Sequence, residues 1–267
     1  MSSGPGIGIF PVPDPPIRRR SFHQETPPFM KPIRIEGSFD LLICDCDGVI
    51  IDSEIVCERI LAAALDEAYR GRDLAPVLAG SFGLQITDIL ERVAAHLGEA
   101  LPEGFVERLD REIVAALHRE AAAVEGVREA LELIDLPVAI ASNSSQAWIE
   151  LSLARAGLAR RIGSAIFSAD RVLRPKPAPD VYLLAAREMG VAPARCLVIE
   201  DSRSGVTAAL AAGMSVIGFL GASHVPPRHG EDLLKLGARM LVEHMEALPR
   251  AVAELQKAQR AGLAVGS

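Results

Sequence analysis

Residues 41–53 read Leu41-Leu42-Ile43-Cys44-Asp45-Cys46-Asp47-Gly48-Val49-Ile50-Ile51-Asp52-Ser53. The opening apolar run is too short for a helix and shows no polar alternation, the pattern of a strand buried on both faces of a parallel sheet. It runs straight into two carboxylates. At i and i+2 of an extended chain, Asp45 and Asp47 point to the same side, while Gly48 lets the backbone turn sharply and come close to a ligand. Like charges that close are costly unless a cation or a proton stabilises them. The pair therefore asks for a metal, and Mg2+, which prefers oxygen, suits it. A solvated turn would explain Asp47-Gly48 alone, but not a second Asp one step inside an apolar strand.

Short apolar runs recur downstream at Pro137 to Ala141, Ala165 to Phe167, Cys196 to Ile199, Ser215 to Phe219 and Met240 to Val242. Between them, Val127 to Ile134, Gln146 to Ala156, Asp180 to Met189 and Gly205 to Ala212 carry apolar residues at helical spacing, with Gly157, Gly190 and Gly213 as C-cap candidates. This alternation predicts an α/β fold with a doubly wound parallel sheet. One interval breaks it: from Ser53 to Leu136 the patterns are helical (Ile55 to Tyr69, Asp88 to Leu97, Glu103 to Glu120) and no strand is evident. A helical insert after the first strand would sit over the carboxyl ends of the strands, where open α/β sheets bind ligands. The expected organisation is a tail over 1–38, a core over 39–53 and 127–250, an inserted α-helical cap domain over 54–126, and a C-terminal helix or tail over 251–267.

Polar clusters fall at the other strand ends. Ser142-Asn143-Ser144 offers a hydroxyl and an amide suited to phosphate oxygens, or else a helix N-cap before Gln146. In Arg174-Pro175-Lys176-Pro177-Ala178-Pro179, alternating prolines stiffen the backbone around one lysine, which is either solvated or held at a fixed point. Glu200-Asp201-Ser202 is a second carboxylate pair after an apolar run, with helix capping as its plain alternative. A nucleophile candidate, a nearby acid, an anion-binding hydroxyl, a cation and further metal ligands make an inventory for phosphoryl transfer.

Four segments together resemble the motifs of the haloacid dehalogenase superfamily: Asp45-x-Asp47-Gly-Val-x-x-Asp-Ser-Glu, Ser142-Asn143-Ser144, Lys176-Pro-x-Pro-Asp180 and Glu200-Asp201-Ser202-x-x-Gly205. The branch is that of sugar-phosphate phosphatases and β-phosphoglucomutase-like proteins. The resemblance spans about Phe39 to Val242 and implies a Rossmann-like core, a Mg2+ cofactor and an aspartyl-phosphate intermediate. It implies Asp45 as nucleophile and Asp47 as general acid and base. Gly48, Ser142, Asn143 and Lys176 would lie at the phosphate, and Asp45, Asp47, Asp201 and Glu200 at the metal. In the cap, the segment Gly80 to Asp88 resembles the loop facing the core, making Gln85 and Thr87 candidates for substrate hydroxyls; capping of the next helix is the other reading of Thr87.

These motifs favour a Mg2+-dependent phosphatase acting on a small phosphorylated metabolite, a sugar or sugar acid. A sugar phosphomutase is the alternative. Against it, Cys57 stands where the mutases carry a histidine and Ile86 where they carry an arginine, and neither side chain can supply the missing contacts. Dehalogenation is disfavoured by Asp47, because carbon–halogen cleavage has no alcohol to protonate. A non-catalytic binding module has no use for the charged set.

The remaining sequence narrows the setting. The 267 residues are 49% hydrophobic with a net charge of −7 and contain no long basic run, which argues against nucleic acid as a partner. No apolar stretch of about 18 residues is present, so no membrane span is expected. The four cysteines form no C-x-x-C pair and fit a reducing cytoplasm. A monomer or weak homo-oligomer is expected. Of the 18 prolines, 8 fall before residue 39, which reads as a disordered tail or as upstream of a start at Met30. Trp148 has apolar helical neighbours and reads as core, and His224 and His229 follow the fifth strand of the sheet, where a loop could border the pocket, with solvated loop histidines as the plainer reading.

Overall fold

The computed structural model describes residues 39–78, 86–222 and 228–264. The tail, Gln85 and His224 lie outside them. The chain opens with strand β1 (Leu41–Cys44) and the two-residue β2 (Ile51–Asp52), then runs through helices α1 (Glu54–Ala68), α2 (Ala75–Leu78), α3 (Ile86–Leu97) and α4 (Phe105–Glu120). After β3 (Ala122–Ala123) and α5 (Val127–Leu133) come β4 (Val138–Ser142), α6 (Gln146–Arg155), α7 (Ala159–Ile162) and β5 (Ile166–Ser168). The remainder is α8 (Asp180–Glu188), β6 (Cys196–Glu200), α9 (Arg203–Ala211), β7 (Ser215–Phe219), α10 (His229–Leu236), β8 (Met240–Val242) and α11 (Leu248–Ala264).

Six strands form one parallel sheet in the order β5-β4-β1-β6-β7-β8. From β1 the chain winds out to β4 and β5 on one side, then returns to lay β6, β7 and β8 on the other. The strand order therefore reverses at β1, and the crevice beyond its carboxyl end is where such sheets take ligands. The strands are buried on both faces, and their alternation divides the core. Leu42, Cys44, Ile140, Leu197, Ile199 and Ile217 belong to one apolar cluster. Leu41, Ile43, Ala139, Val198 and Val216 belong to another.

The helices between 54 and 120 carry a third cluster, including Leu61, Leu65, Ile89, Val93, Phe105 and Leu109. The long helical patterns of this region fold as their spacing predicts. The expectation of no strand in the interval is corrected by β3, which pairs antiparallel with β2 through Ile51 with Ala123 and Asp52 with Ala122. Two alanines carry no periodicity, so only the tertiary pairing makes them a strand. His229, expected in a solvated loop, begins α10, with Arg228 before it at φ 76°. Gly157, Gly190 and Gly213 adopt positive φ just past their helices, as C-caps do. The C-terminal helix places Leu248 and Val252 in the first core cluster. Its Gln256 carboxamide accepts from the Phe39 N–H at 2.9 Å and donates to the Phe39 carbonyl at 3.1 Å, fixing the entry to β1. Among the described residues no helix is long and apolar enough to cross a membrane.

Candidate active site

At the sheet's reversal point the ends of β1, β4 and β6 meet. The Asp45 N–H donates to the Ile199 carbonyl at 3.0 Å, so the first residue past β1 is still held by β6 while its side chain enters the crevice. Gly48 turns the chain at φ +74°, and a Cβ there would lie 1.8 Å from Asp201 Oδ2. Only glycine gives both that backbone angle and that approach.

Lys176 reaches in from the loop before α8. Its Nζ lies 2.7 Å from Asp45 Oδ1 and 2.7 Å from Glu200 Oε1, and its side chain is only 3% exposed. The Tyr182 ring lies 4.7 Å from the same ammonium, and the Tyr182 hydroxyl donates to Glu200 Oε1 at 2.8 Å. Asn143 sets the loop: its Oδ1 accepts from the Lys176 N–H at 2.8 Å and its Nδ2 donates to the Lys176 carbonyl at 3.1 Å. The Lys176–Pro177 bond is cis. Glu200 Oε2 accepts from the N–H and hydroxyl of Ser202, at 3.0 and 2.9 Å. Ser202 in turn caps α9 by accepting from the Gly205 N–H at 3.0 Å. Capping thus falls to Ser202, and the Glu200 and Asp201 carboxyls are buried in the crevice. Similarly, Ser145 is the N-cap of α6, while Ser142 is buried at the end of β4 with its Oγ accepting from the Ser144 N–H at 3.1 Å.

Asp45, Glu200 and Asp201 bring carboxylate oxygens within 4.8 Å of one another. Burial raises the Asp45 carboxyl to about 7, against the pull of Lys176 and with a further push from Glu200 and Asp47. Burial and then the charges of Glu200 and Asp45 hold Asp201 well above the usual carboxylate range. Burial works to lower Lys176, but Asp45 and Glu200 outweigh it and hold the ammonium above its ordinary range. Three crowded, buried carboxyls with one ammonium among them form an all-oxygen donor set that a hard divalent cation fits.

Asp47 is placed differently. Its Oδ1 accepts from Ser53 Oγ at 2.7 Å and from the Trp148 indole N–H at 2.9 Å, and its Oδ2 accepts from Ser144 Oγ at 2.5 Å. Its carboxylate lies outside the metal-capable group among the described residues. Thr87 is exposed near the start of α3. Cys57 is half-buried on α1, its thiol pushed up to about 12 by burial and then by the charge of Asp47. His229 sits beside the site, with Nε2 2.5 Å from the Asp201 carbonyl. The sequence reading assigned no site role to Ser53, Ser144, Tyr182, Trp148 or His229. The signal available for Trp148 was that a buried indole N–H needs an acceptor.

Comparison with known proteins finds relatives among hydrolases. The family model for haloacid dehalogenase-like hydrolases matches residues 39–213. The chain is 29% identical over 195 residues to the 6-phosphogluconate phosphatase of Escherichia coli K12, covering 73% of this chain and 86% of that one. It is 34% identical over 193 residues to the fructose-1-phosphate phosphatase of the same organism, covering 66% and 94%. A crystal structure of a haloacid dehalogenase-like protein from Agrobacterium tumefaciens superposes with TM-score 0.75 at 35% identity, covering 81% of this chain and 99% of that one.

Proposed function

The chain belongs to the haloacid dehalogenase-like hydrolases, and from that premise we propose that it is a Mg2+-dependent phosphatase of small sugar phosphates working through a phosphorylated Asp45. The observation that carries the reading is the buried Asp45 carboxyl at the sheet's reversal point, paired with Lys176 at 2.7 Å and crowded by Glu200 and Asp201.

Asp45 and Asp201, with Glu200 in the same group, are the residues that would hold the ion. Mg2+, when bound, supplies positive charge against the repulsion between the carboxylate and the phosphoryl oxygens. Lys176 supplies a second, fixed positive charge and favours the ionised, nucleophilic form of Asp45 against the burial that opposes it. The Asp45 carboxylate attacks phosphorus; the bond from phosphorus to the ester oxygen breaks, and Asp47 gives its proton to the departing alcohol. Asp47 then takes a proton from water as that water attacks the acyl phosphate, which releases inorganic phosphate and restores Asp45. Ser142 binds a phosphoryl oxygen through its hydroxyl, and Gly48 admits the group close to the backbone. Asn143 acts one step back, since its amide is engaged with the Lys176 backbone.

The substrate class is inferred from the relatives, whose names are those of phosphatases of hexose-derived monophosphates. The helical insert between 54 and 120 is read as the cap that selects the sugar, with Thr87 and Gln85 as its candidate contacts. Transfer back to sugar, as in a mutase, is not favoured: Cys57 presents a neutral thiol near Asp47, and Ile86 begins α3 as an alkyl side chain. Phosphate release should be measured over a panel of hexose, hexitol and sugar-acid monophosphates with Mg2+ present. Turnover of at least one of them, absent in Asp45→Asn, is expected. Inactivity on the entire panel would overturn the substrate assignment.

A further inference from the structure

Trp148, the only tryptophan of the chain, stands on α6 with its ring partly buried against the first core cluster. Its indole N–H is aimed at Asp47 Oδ1, 2.9 Å away. We propose that Trp148 is a positioning residue that fixes the Asp47 carboxyl for proton transfer, an inference that rests on the acid and base role read for Asp47 above.

The three donors to Asp47 are not equivalent. The Ser53 and Ser144 hydroxyls can rotate and either donate or accept, so each can follow Asp47 through a change of protonation. An indole nitrogen can only donate. The oxygen it holds, Oδ1, is therefore committed as an acceptor, and Oδ2 on the Ser144 side is left to exchange the proton. The indole also locks the torsion of the carboxyl, since rotating Oδ1 away would strand a partly buried N–H.

The indole is itself held. The His118 ring, in the last turn of α4, lies 5.9 Å from it, centroid to centroid, tilted by 54°. Seven residues on, at a position that returns to the same face of α6, Arg155 donates to the Leu117 and Ala121 carbonyls, each at 2.8 Å, and to the His118 carbonyl. One face of α6 thus grips the end of α4 with Arg155 and carries the indole between His118 and Asp47. A side chain so packed brings its hydrogen bond to the reaction already oriented, which is how supporting residues make an acid effective.

The test compares leaving groups in the first turnover of the Mg2+-loaded protein. Trp148→Phe keeps an aromatic ring against the core and removes the donor. Alcohol release from a hexose phosphate, which needs protonation, should slow by about 10-fold with KM changed less than about 2-fold, as loss of part of a general-acid contribution requires. Release of p-nitrophenolate from p-nitrophenyl phosphate, which needs no acid, should change by less than about 2-fold on the same argument. Equal slowing of both, or none of either, overturns the proposal. Asp47→Asn measured alongside separates the two claims: if it also slows both leaving groups equally, the acid role of Asp47 fails, whatever Trp148 does. A second readout uses no Trp148 variant. The single indole N–H resonance of the 15N-labelled protein should lie downfield and be slow to exchange, and should move upfield and exchange faster in Asp47→Ala; an unmoved resonance contradicts the hydrogen bond.

Discussion

Replacing Lys176 with methionine would remove the cation that bridges Asp45 and Glu200 while leaving a side chain of similar length in a site where the lysine is 3% exposed. Two buried ion pairs, each 2.7 Å, are lost at once. Removing one partner of a buried pair costs about 3–5 kcal/mol, chiefly through the charge left uncompensated. At about 4 kcal/mol and 2–4 °C per kcal/mol for a domain of this size, the melting temperature should fall by about 8–16 °C. The assay is thermal unfolding of the metal-free protein at pH about 8 and about 5, chosen to straddle the Asp45 carboxyl at about 7. At the lower pH that carboxyl is already protonated in the folded protein, so there is less charge to strand and the loss should shrink to less than half. Excess Mg2+ at pH about 8 should shrink it as well, because a bound cation takes over part of the neutralisation. An equal loss at both pH values, or a loss under about 2 °C, would refute the reasoning that Lys176 compensates these two carboxyls.

In kinetics, Lys176→Met should lower kcat/KM by at least about 100-fold and Ser142→Ala by less, since a charge-assisted bond is roughly twice as strong as a neutral one; the reverse order in steady-state assays would mean that one of them is misassigned. Gly48→Ala drives a Cβ to 1.8 Å from Asp201 Oδ2 at a backbone angle of +74°, and should weaken the dependence on Mg2+ or prevent folding, read by titrating Mg2+ against activity with circular dichroism as the folding control; a folded variant with an unchanged Mg2+ titration contradicts it. For pH, the Asp45 carboxyl raised to about 7 makes the folded protein hold a proton that the unfolded chain has lost between pH about 4 and about 7. This group's contribution to the stability of the metal-free protein therefore falls as pH rises through that window. Melting curves across it should show the fall, flattened by Mg2+, and a fall unaffected by Mg2+ would count against Asp45 as a ligand.

The parallel sheet was legible because its strands, buried on both faces, leave uninterrupted apolar runs such as Leu41 to Cys44 and Cys196 to Ile199, with helical spacing between them. Most polar residues of the site were legible because they stand at or just past the end of such a run: Asp45 after β1, Ser142 at the end of β4, Glu200 at the end of β6 and Asp201 just beyond it. What could not be read was pairing set by tertiary approach. Nothing local distinguishes Ala122-Ala123 as a strand; Ile51 and Asp52 make it one. Tyr182 and Trp148 show only helical periodicity, and their polar tips find Glu200 and Asp47 because α8 and α6 pack where they do. Asn143 reads as a phosphate ligand until the loop of Lys176 is seen against it, 33 positions away.

The account's central claim is that Asp45 carries the phosphoryl group. The most direct measurement is a rapid acid quench of the Mg2+-loaded protein with 32P-labelled substrate, followed by peptide mapping. The account predicts label on the peptide containing Asp45, stable to acid and released by hydroxylamine as an acyl phosphate must be, and no label in Asp45→Asn. Full turnover with no labelled protein at any quench time, or label on another residue, would contradict it.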